Sequence, residues 1–195
     1  MNFKKTLKRT GYLLAAAGIS AGAYAGVLQL TGNFHEVVAN QLYRSNQPSA
    51  AEIETYAKQY GIKTIINLRG KSEKASWYDQ EVASAAELGI QHVDFRMSAS
   101  KELDSDEIAE LATIMRDMPK PILIHCRSGS DRTGLASVIY LNQVAGMDPE
   151  TAEGQLSFRF GHVGIPYVSA AYAMDESWEK FERTLRRAAK AKNAI

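Results

Sequence analysis

Ile122 to His125 (ILIH) is an unbroken bulky run with Pro119 and Pro121 just before it and Cys126-Arg127-Ser128-Gly129-Ser130-Asp131-Arg132-Thr133-Gly134 directly after. A short β-branched run of this kind reads as a strand buried on both faces. The small polar residues that follow turn the chain, and helical patterning resumes from about Arg132 to Ala145. A buried strand that ends in a loop at the start of a helix needs strands beside it and helices over both faces. This one stretch therefore points to an α/β fold, with its ligand-binding crevice at the carboxyl ends of the strands.

The remaining pattern agrees. Leu42-Tyr43-Arg44 reads as a short edge strand closed by Gln47-Pro48, and Ser49 caps a helix that ends at Gly61. Ile62–Leu68 and Ile90–Phe95 read as strands, with a helix over Ala75–Leu88 between them. Asp104 and Glu107 make an Asp-x-x-Glu helix start for a segment reaching Met118. Further helices are expected over Pro149–Phe158 and Asp175–Lys190. The expectation is a central, mostly parallel sheet of four to five strands flanked by helices.

Gly11 to Leu30 is poor in polar residues, and Lys4, Lys5, Lys8 and Arg9 precede it. Twenty helical residues reach ~30 Å, the thickness of a bilayer core. The basic flank puts the N-terminus in the cytoplasm and the body of the chain on the other, periplasmic side. Residues 1–32 are read as a signal anchor and 33–195 as the catalytic domain. Ala21-Gly22-Ala23 and Ala23-Tyr24-Ala25 also fit small-x-small cleavage sites, so a secreted or periplasmic form is the alternative.

The whole chain carries net charge +1, and the four N-terminal cations leave the rest at −3. An acidic body without a basic stripe argues against a nucleic-acid partner. Cys126 is the only cysteine, which excludes an intrachain disulfide. His35, His92, His125 and His162 lack ligand-like spacing, and no metal site is expected. Trp178, Phe181 and Leu185 share one face of the last helix, read as a packing face, with a membrane-surface helix as the competing reading.

A loop that wraps into a helix N-terminus turns its backbone N–H groups inward and binds a phosphate dianion. Gly129 permits close backbone approach, and Arg132, in the first helical turn, can clamp two phosphate oxygens. Cys126 lies at the floor of the same positive field, which favours its thiolate as an in-line nucleophile. Arg127, Ser128, Gly129, Ser130, Asp131 and Arg132 form the phosphate-binding wall. Thr133 can donate to the sulfur, and His125 reads as a backbone-bracing residue. Arg69 and Lys101 are possible neighbours of the cleft.

Cys126-x5-Arg132 followed by Thr133 resembles the signature of protein tyrosine and dual-specificity phosphatases. Tyr43-Arg44-Ser45, Gln47-Pro48 and Ile65-Ile66-Asn67-Leu68-Arg69 resemble the opening strands of bacterial dual-specificity-like members. The resemblance covers about Leu42 to Met174. It implies phosphate-monoester hydrolysis in two steps through a phosphocysteine, with no cofactor.

The family's usual general acid would fall near Ala99 or Ser100, neither of which donates a proton well. Asp131 is the first alternative, because Cys-x-x-Gly-x-Asp-Arg-Thr resembles the loop of phosphoinositide phosphatases. Glu102 is second. Asp104 is third, since it also suits a helix N-cap. The expected substrate is a phosphorylated protein or a phospholipid. A rhodanese-like sulfurtransferase is disfavoured by the six-residue step from Cys126 to Arg132, and an inactive phosphate-binding module by the intact Cys and Arg.

Overall fold

The computed structural model describes residues 3–192. Helix α1 spans Phe3–Leu30, and a short hairpin, β1 (His35–Val38) and β2 (Leu42–Ser45), follows. The chain then alternates through α2 (Ala50–Tyr60), β3 (Thr64–Asn67), α3 (Ser76–Glu87), β4 (Gln91–Asp94), α4 (Ser105–Asp117), β5 (Ile122–His125) and α5 (Asp131–Ile139). A π-helical turn at Tyr140–Val144, α6 (Pro149–Glu153), a 3₁₀ turn at Phe158–Phe160 and α7 (Tyr172–Lys192) complete it.

The helix boundaries follow local chemistry. Ser49 accepts from the Glu52 N–H while the Glu52 carboxylate takes the Ser49 N–H, and Gly61 closes α2 at φ 66°. Asp104 and Glu107 form the same reciprocal cap on α4, so Asp104 is the N-cap. Two expectations need correction. Leu42–Ser45 is an interior strand because β1 adds outside it, and β1 (HEVV) carries no strong strand signal. The helix expected to reach Phe158 stops at Glu153, and Phe158–Phe160 is a separate 3₁₀ turn closed by Gly161 at φ 82°.

The sheet order is β1-β2-β5-β3-β4. Only the β1–β2 pair is antiparallel. Every residue of β2, β3 and β5 is buried. Alternate side chains feed two cores: Ile66 and Ile124 meet Leu111, Val138 and Trp178 on one face, while Ile65, Leu123 and Tyr43 meet Ile53 and Ala85 on the other. Trp178 and Phe181 lie in the first core, so α7 is a packing helix. Central β5 pairs Ser45 and Asn67 with His125, so three strands end level, and the loop from Cys126 leaves from that edge.

Most of helix α1 stands apart from this packing, and only its last turns touch the body. Its segment Arg9–Leu30, 22 residues, is long and apolar enough to cross a membrane, and only 6% of its most apolar stretch is buried.

Candidate active site

The loop between β5 and α5 is built by hydrogen bonds from outside. The Arg127 carbonyl accepts from the Gln47 N–H at 3.4 Å. The Ser128 carbonyl accepts from Gln29 Nε2 at 3.1 Å and Asn33 Nδ2 at 3.0 Å. Arg44 donates to the Gly129 carbonyl at 2.8 Å and the Ser130 carbonyl at 3.3 Å. In a planar trans peptide the C=O and the next N–H point in opposite directions. Four successive carbonyls held outward therefore turn the N–H groups of residues 128–131 inward. Gly129, at φ 74°, is required here: a Cβ would lie 2.7 Å from the Asn46 N and 2.8 Å from the Ser45 backbone.

Arg44 is the fastening. It is fully buried, its second terminal nitrogen donates to the Gln155 carbonyl at 3.0 Å and Oε1 at 2.7 Å, its Nε has no partner among the described residues, and its guanidinium lies 4.0 Å from the centre of the Phe160 ring. Burial pushes its pKa down to about 9, against the opposing pull of Cys126 and Asp131, so it stays protonated at neutral pH. A buried cation behind the loop adds to the positive field within it.

Cys126 is 1% exposed at the start of the loop. Arg132 donates weakly to the Leu68 and Met97 carbonyls at 3.4 and 3.3 Å, which aims its guanidinium across the strand ends. Among the described residues, Arg132 Nε and Thr133 Oγ1 are buried without a hydrogen-bond partner. Arg69 joins the same cationic group. Burial and the charges of Arg132 and Arg127 lower its pKa, and it stacks 3.6 Å from the Trp77 ring centre.

Two buried acid–histidine clusters support the loop. Glu81 Oε1 takes His92 at 2.7 Å and His125 at 3.1 Å, and Gln47 joins its other oxygen to Arg69. Burial disfavours its charge, but these hydrogen bonds prevail and lower the Glu81 pKa to about 2. His125 thus holds a carboxylate, where a backbone contact was expected. On the other side, His162 Nδ1 meets Asp131 Oδ1 at 2.8 Å and its Nε2 meets Asp175 Oδ2 at 2.9 Å. Burial opposes the His162 charge, yet the two carboxylates outweigh it and raise its pKa to about 9.

The pH consequence has a definite sign. The folded-state pKa of His162 lies above its ordinary 6.5. Its stabilisation is then complete below pH about 6.5 and is lost as pH rises through about 9. Thermal melts of the wild type should decline across that window. His162→Gln should lack that part of the slope, and an unchanged slope would refute the pairing.

Residues 25–153 match the tyrosine phosphatase family. The chain belongs to that family. It is 26% identical over 116 residues to the dual specificity protein phosphatase TpbA of Pseudomonas aeruginosa, covering 57% of this chain and 47% of the relative. The chain thus spans about half the length of that curated relative. The crystal structure of P. aeruginosa TpbA in complex with pTyr aligns with TM-score 0.53 at 21% identity, covering 78% of this chain and 91% of the other. PTPMT1 in complex with PI(5)P aligns with TM-score 0.57 at 11% identity, covering 78% and 98%. At those identities the structures speak for the fold, a tyrosine-phosphatase-type α/β sheet.

The structure gathers Cys126, Arg127, Ser128, Gly129, Ser130, Asp131, Arg132 and Thr133 at one sheet edge, with Arg127 exposed on the rim. It separates the other two acids. Glu102 is ion-paired with Lys180 on α7, and Asp104 caps α4. Asn33, Arg44, Glu81, His162 and Asp175 were missed as site residues. Asn33, Arg44 and His162 reach the loop directly, and Glu81 and Asp175 act through His125 and His162. Only Arg44 carried a sequence signal, as part of the Tyr43-Arg44-Ser45 strand motif.

Proposed function

We propose that this chain is a cysteine-dependent phosphatase of the dual-specificity type, hydrolysing phosphate monoesters through a phosphocysteine on Cys126. The observation that carries this reading is the run of four outward-bound carbonyls, Arg127 to Ser130, behind inward N–H groups and one buried nucleophile. Such a nest fits the three non-bridging oxygens of a phosphoryl group and stabilises the charge that develops on them.

In the first step the Cys126 Sγ–P bond forms as the ester P–O bond breaks, and Asp131 gives the leaving oxygen its proton. Arg132 neutralises the equatorial oxygens. In the second, the Asp131 carboxylate takes a proton from water, the water oxygen bonds to phosphorus, and Sγ–P breaks to return the thiolate. Thr133 Oγ1, buried and unpartnered, suits a hydrogen bond to that departing sulfur. Asp131 is preferred to Glu102 and Asp104 because it begins α5 beside Arg132 and because His162 engages only its Oδ1. Oδ2 is then the oxygen that serves the leaving group.

The domain is placed on the non-cytoplasmic side of a membrane crossed by α1, supported by the basic residues that precede the apolar stretch. The substrate is assigned to the phosphotyrosine or phosphoserine class of protein phosphomonoesters, in line with the family match.

Rapid-quench experiments on wild type and Asp131→Asn test the mechanism. With an aryl phosphate whose leaving group needs no proton, Asp131→Asn should accumulate phosphoryl on Cys126, seen by mass spectrometry, because water is no longer deprotonated. With an alkyl phosphate its first step should slow by about 10²–10⁴-fold. Equal slowing for both esters, without trapped phosphocysteine, would remove Asp131 from the acid role.

A further inference from the structure

We infer that the catalytic domain lies flat against the bilayer that holds α1, with Phe158 and the apolar segment up to Val168 in the headgroup layer beside the phosphate loop. The inference concerns where the loop sits and does not depend on its chemistry. A tethered domain normally hangs on a slack linker, and here there is none. Tyr24, within the apolar stretch of α1, donates to the Arg159 carbonyl at 2.7 Å and stacks on Phe158 with ring centres 5.4 Å apart. Leu28 is 6% exposed. Gln29, in the last turn, and Asn33, just past it, both bind the Ser128 carbonyl. Asn46 returns two bonds, to the Gln29 carbonyl at 3.1 Å and the Gly32 carbonyl at 2.8 Å.

These contacts fix depth. Tyr24 lies six residues before Leu30, about 9 Å along the axis at ~1.5 Å per residue. If α1 is embedded to its end, Phe158 is carried to that level, where aromatic side chains collect at a membrane interface. Phe158 is 49% exposed, and the chain that follows shows Val163, Ile165, Tyr167 and Val168 at 44, 48, 107 and 78%. So much apolar surface in one stretch marks a contact face. Residues 155–174 contain no Asp or Glu, in a chain that has 22 of them, and Arg159 is exposed. The strip itself is apolar, holds one surface arginine and no acid, while Asp175 packs against Gly164 and Glu176 shares a groove with Tyr167 and Val168, so its apolar area rather than its charge suits a lipid interface. The phosphate loop, hydrogen-bonded directly to Gln29 of α1, then meets its substrates at the membrane surface.

The test uses the full chain with Cys126→Ser, which removes its only thiol. Single cysteines are placed at Phe158→Cys, Tyr167→Cys and Asp117→Cys, the last at the opposite edge of the sheet. Each is labelled with an environment-sensitive fluorophore and reconstituted in vesicles of phosphatidylcholine and phosphatidylglycerol, with and without brominated acyl chains. The labels at 158 and 167 should shift to the blue and be quenched several-fold more by brominated lipid than the label at 117. Water-like emission at both would overturn the inference. So would a blue shift that brominated lipid does not quench, since a second copy of the chain would then cover the strip. If Phe158→Cys fails to fold, Tyr167→Cys, whose side chain is fully exposed, carries the same outcomes.

Discussion

Cys126→Ser is expected to abolish turnover of any phosphate monoester, a loss on the order of 10⁴-fold or more, as when a nucleophile is deleted from a covalent mechanism. A serine hydroxyl is protonated at neutral pH and is a far weaker nucleophile than a thiolate, and the adjoining His125 is committed to Glu81. The substitution keeps the side-chain volume nearly constant at a site that is 1% exposed, so the fold should survive. The nest is made of backbone held by Arg44, Gln29, Asn33 and Gln47, none of which is altered. Binding of an oxyanion such as tungstate, followed by calorimetry, should therefore persist in the variant while hydrolysis does not. Loss of both would point to a collapsed loop, and full turnover would end the covalent reading.

Arg44→Met should strongly destabilise the fold. The residue is buried and satisfies four acceptors on two segments, the carbonyls of Gly129, Ser130 and Gln155 and the Gln155 side chain. Methionine fills most of the volume and donates nothing, so the Gly129 carbonyl is left unpaired in the interior and the Gln155 acceptors are left part-buried, while the Ser130 carbonyl keeps the Gly134 N–H. Hydrogen bonds to charged groups contribute about 1.5–3 kcal/mol each, so losing those to Gly129 and Gln155 is expected to cost on the order of 3–5 kcal/mol. For a chain of this size each kcal/mol moves the melting temperature by about 2–4 °C, so a fall of roughly 6–20 °C is expected by calorimetry. Arg44→Lys should not rescue it, because one ammonium lacks the planar fork that reaches acceptors on both segments. Activity should fall with stability even at temperatures where the variant is folded, because the Gly129 and Ser130 peptides are no longer held with their N–H groups inward. Wild-type melting in Arg44→Met would show that the loop is self-supporting.

Much of this molecule was legible from local chemistry. The caps at Ser49 and Asp104 and the stop at Gly61 are contacts within a few residues, so short-range rules apply. The strand at Ile122–His125 matched its bounds because an unbroken apolar run has one stable placement in an α/β sheet. The edge assignment for Leu42–Ser45 failed because strand order is a long-range property, and a weakly patterned hairpin strand took the outside position.

By itself, then, the sequence determined the class of fold, the loop from Cys126 to Arg132 and the chemistry those residue types favour, since nucleophile, clamp and glycine sit within one short stretch of chain. Tertiary structure decided what holds that loop open and which partner engages each candidate acid. Asn33, Arg44, Glu81, His162 and Asp175 come from different elements, and neither spacing nor composition encodes a meeting between them. Whether a carboxylate caps a helix, pairs with a lysine or leans on a buried histidine is settled by which neighbours remove its water, and that is known only once the chain has folded.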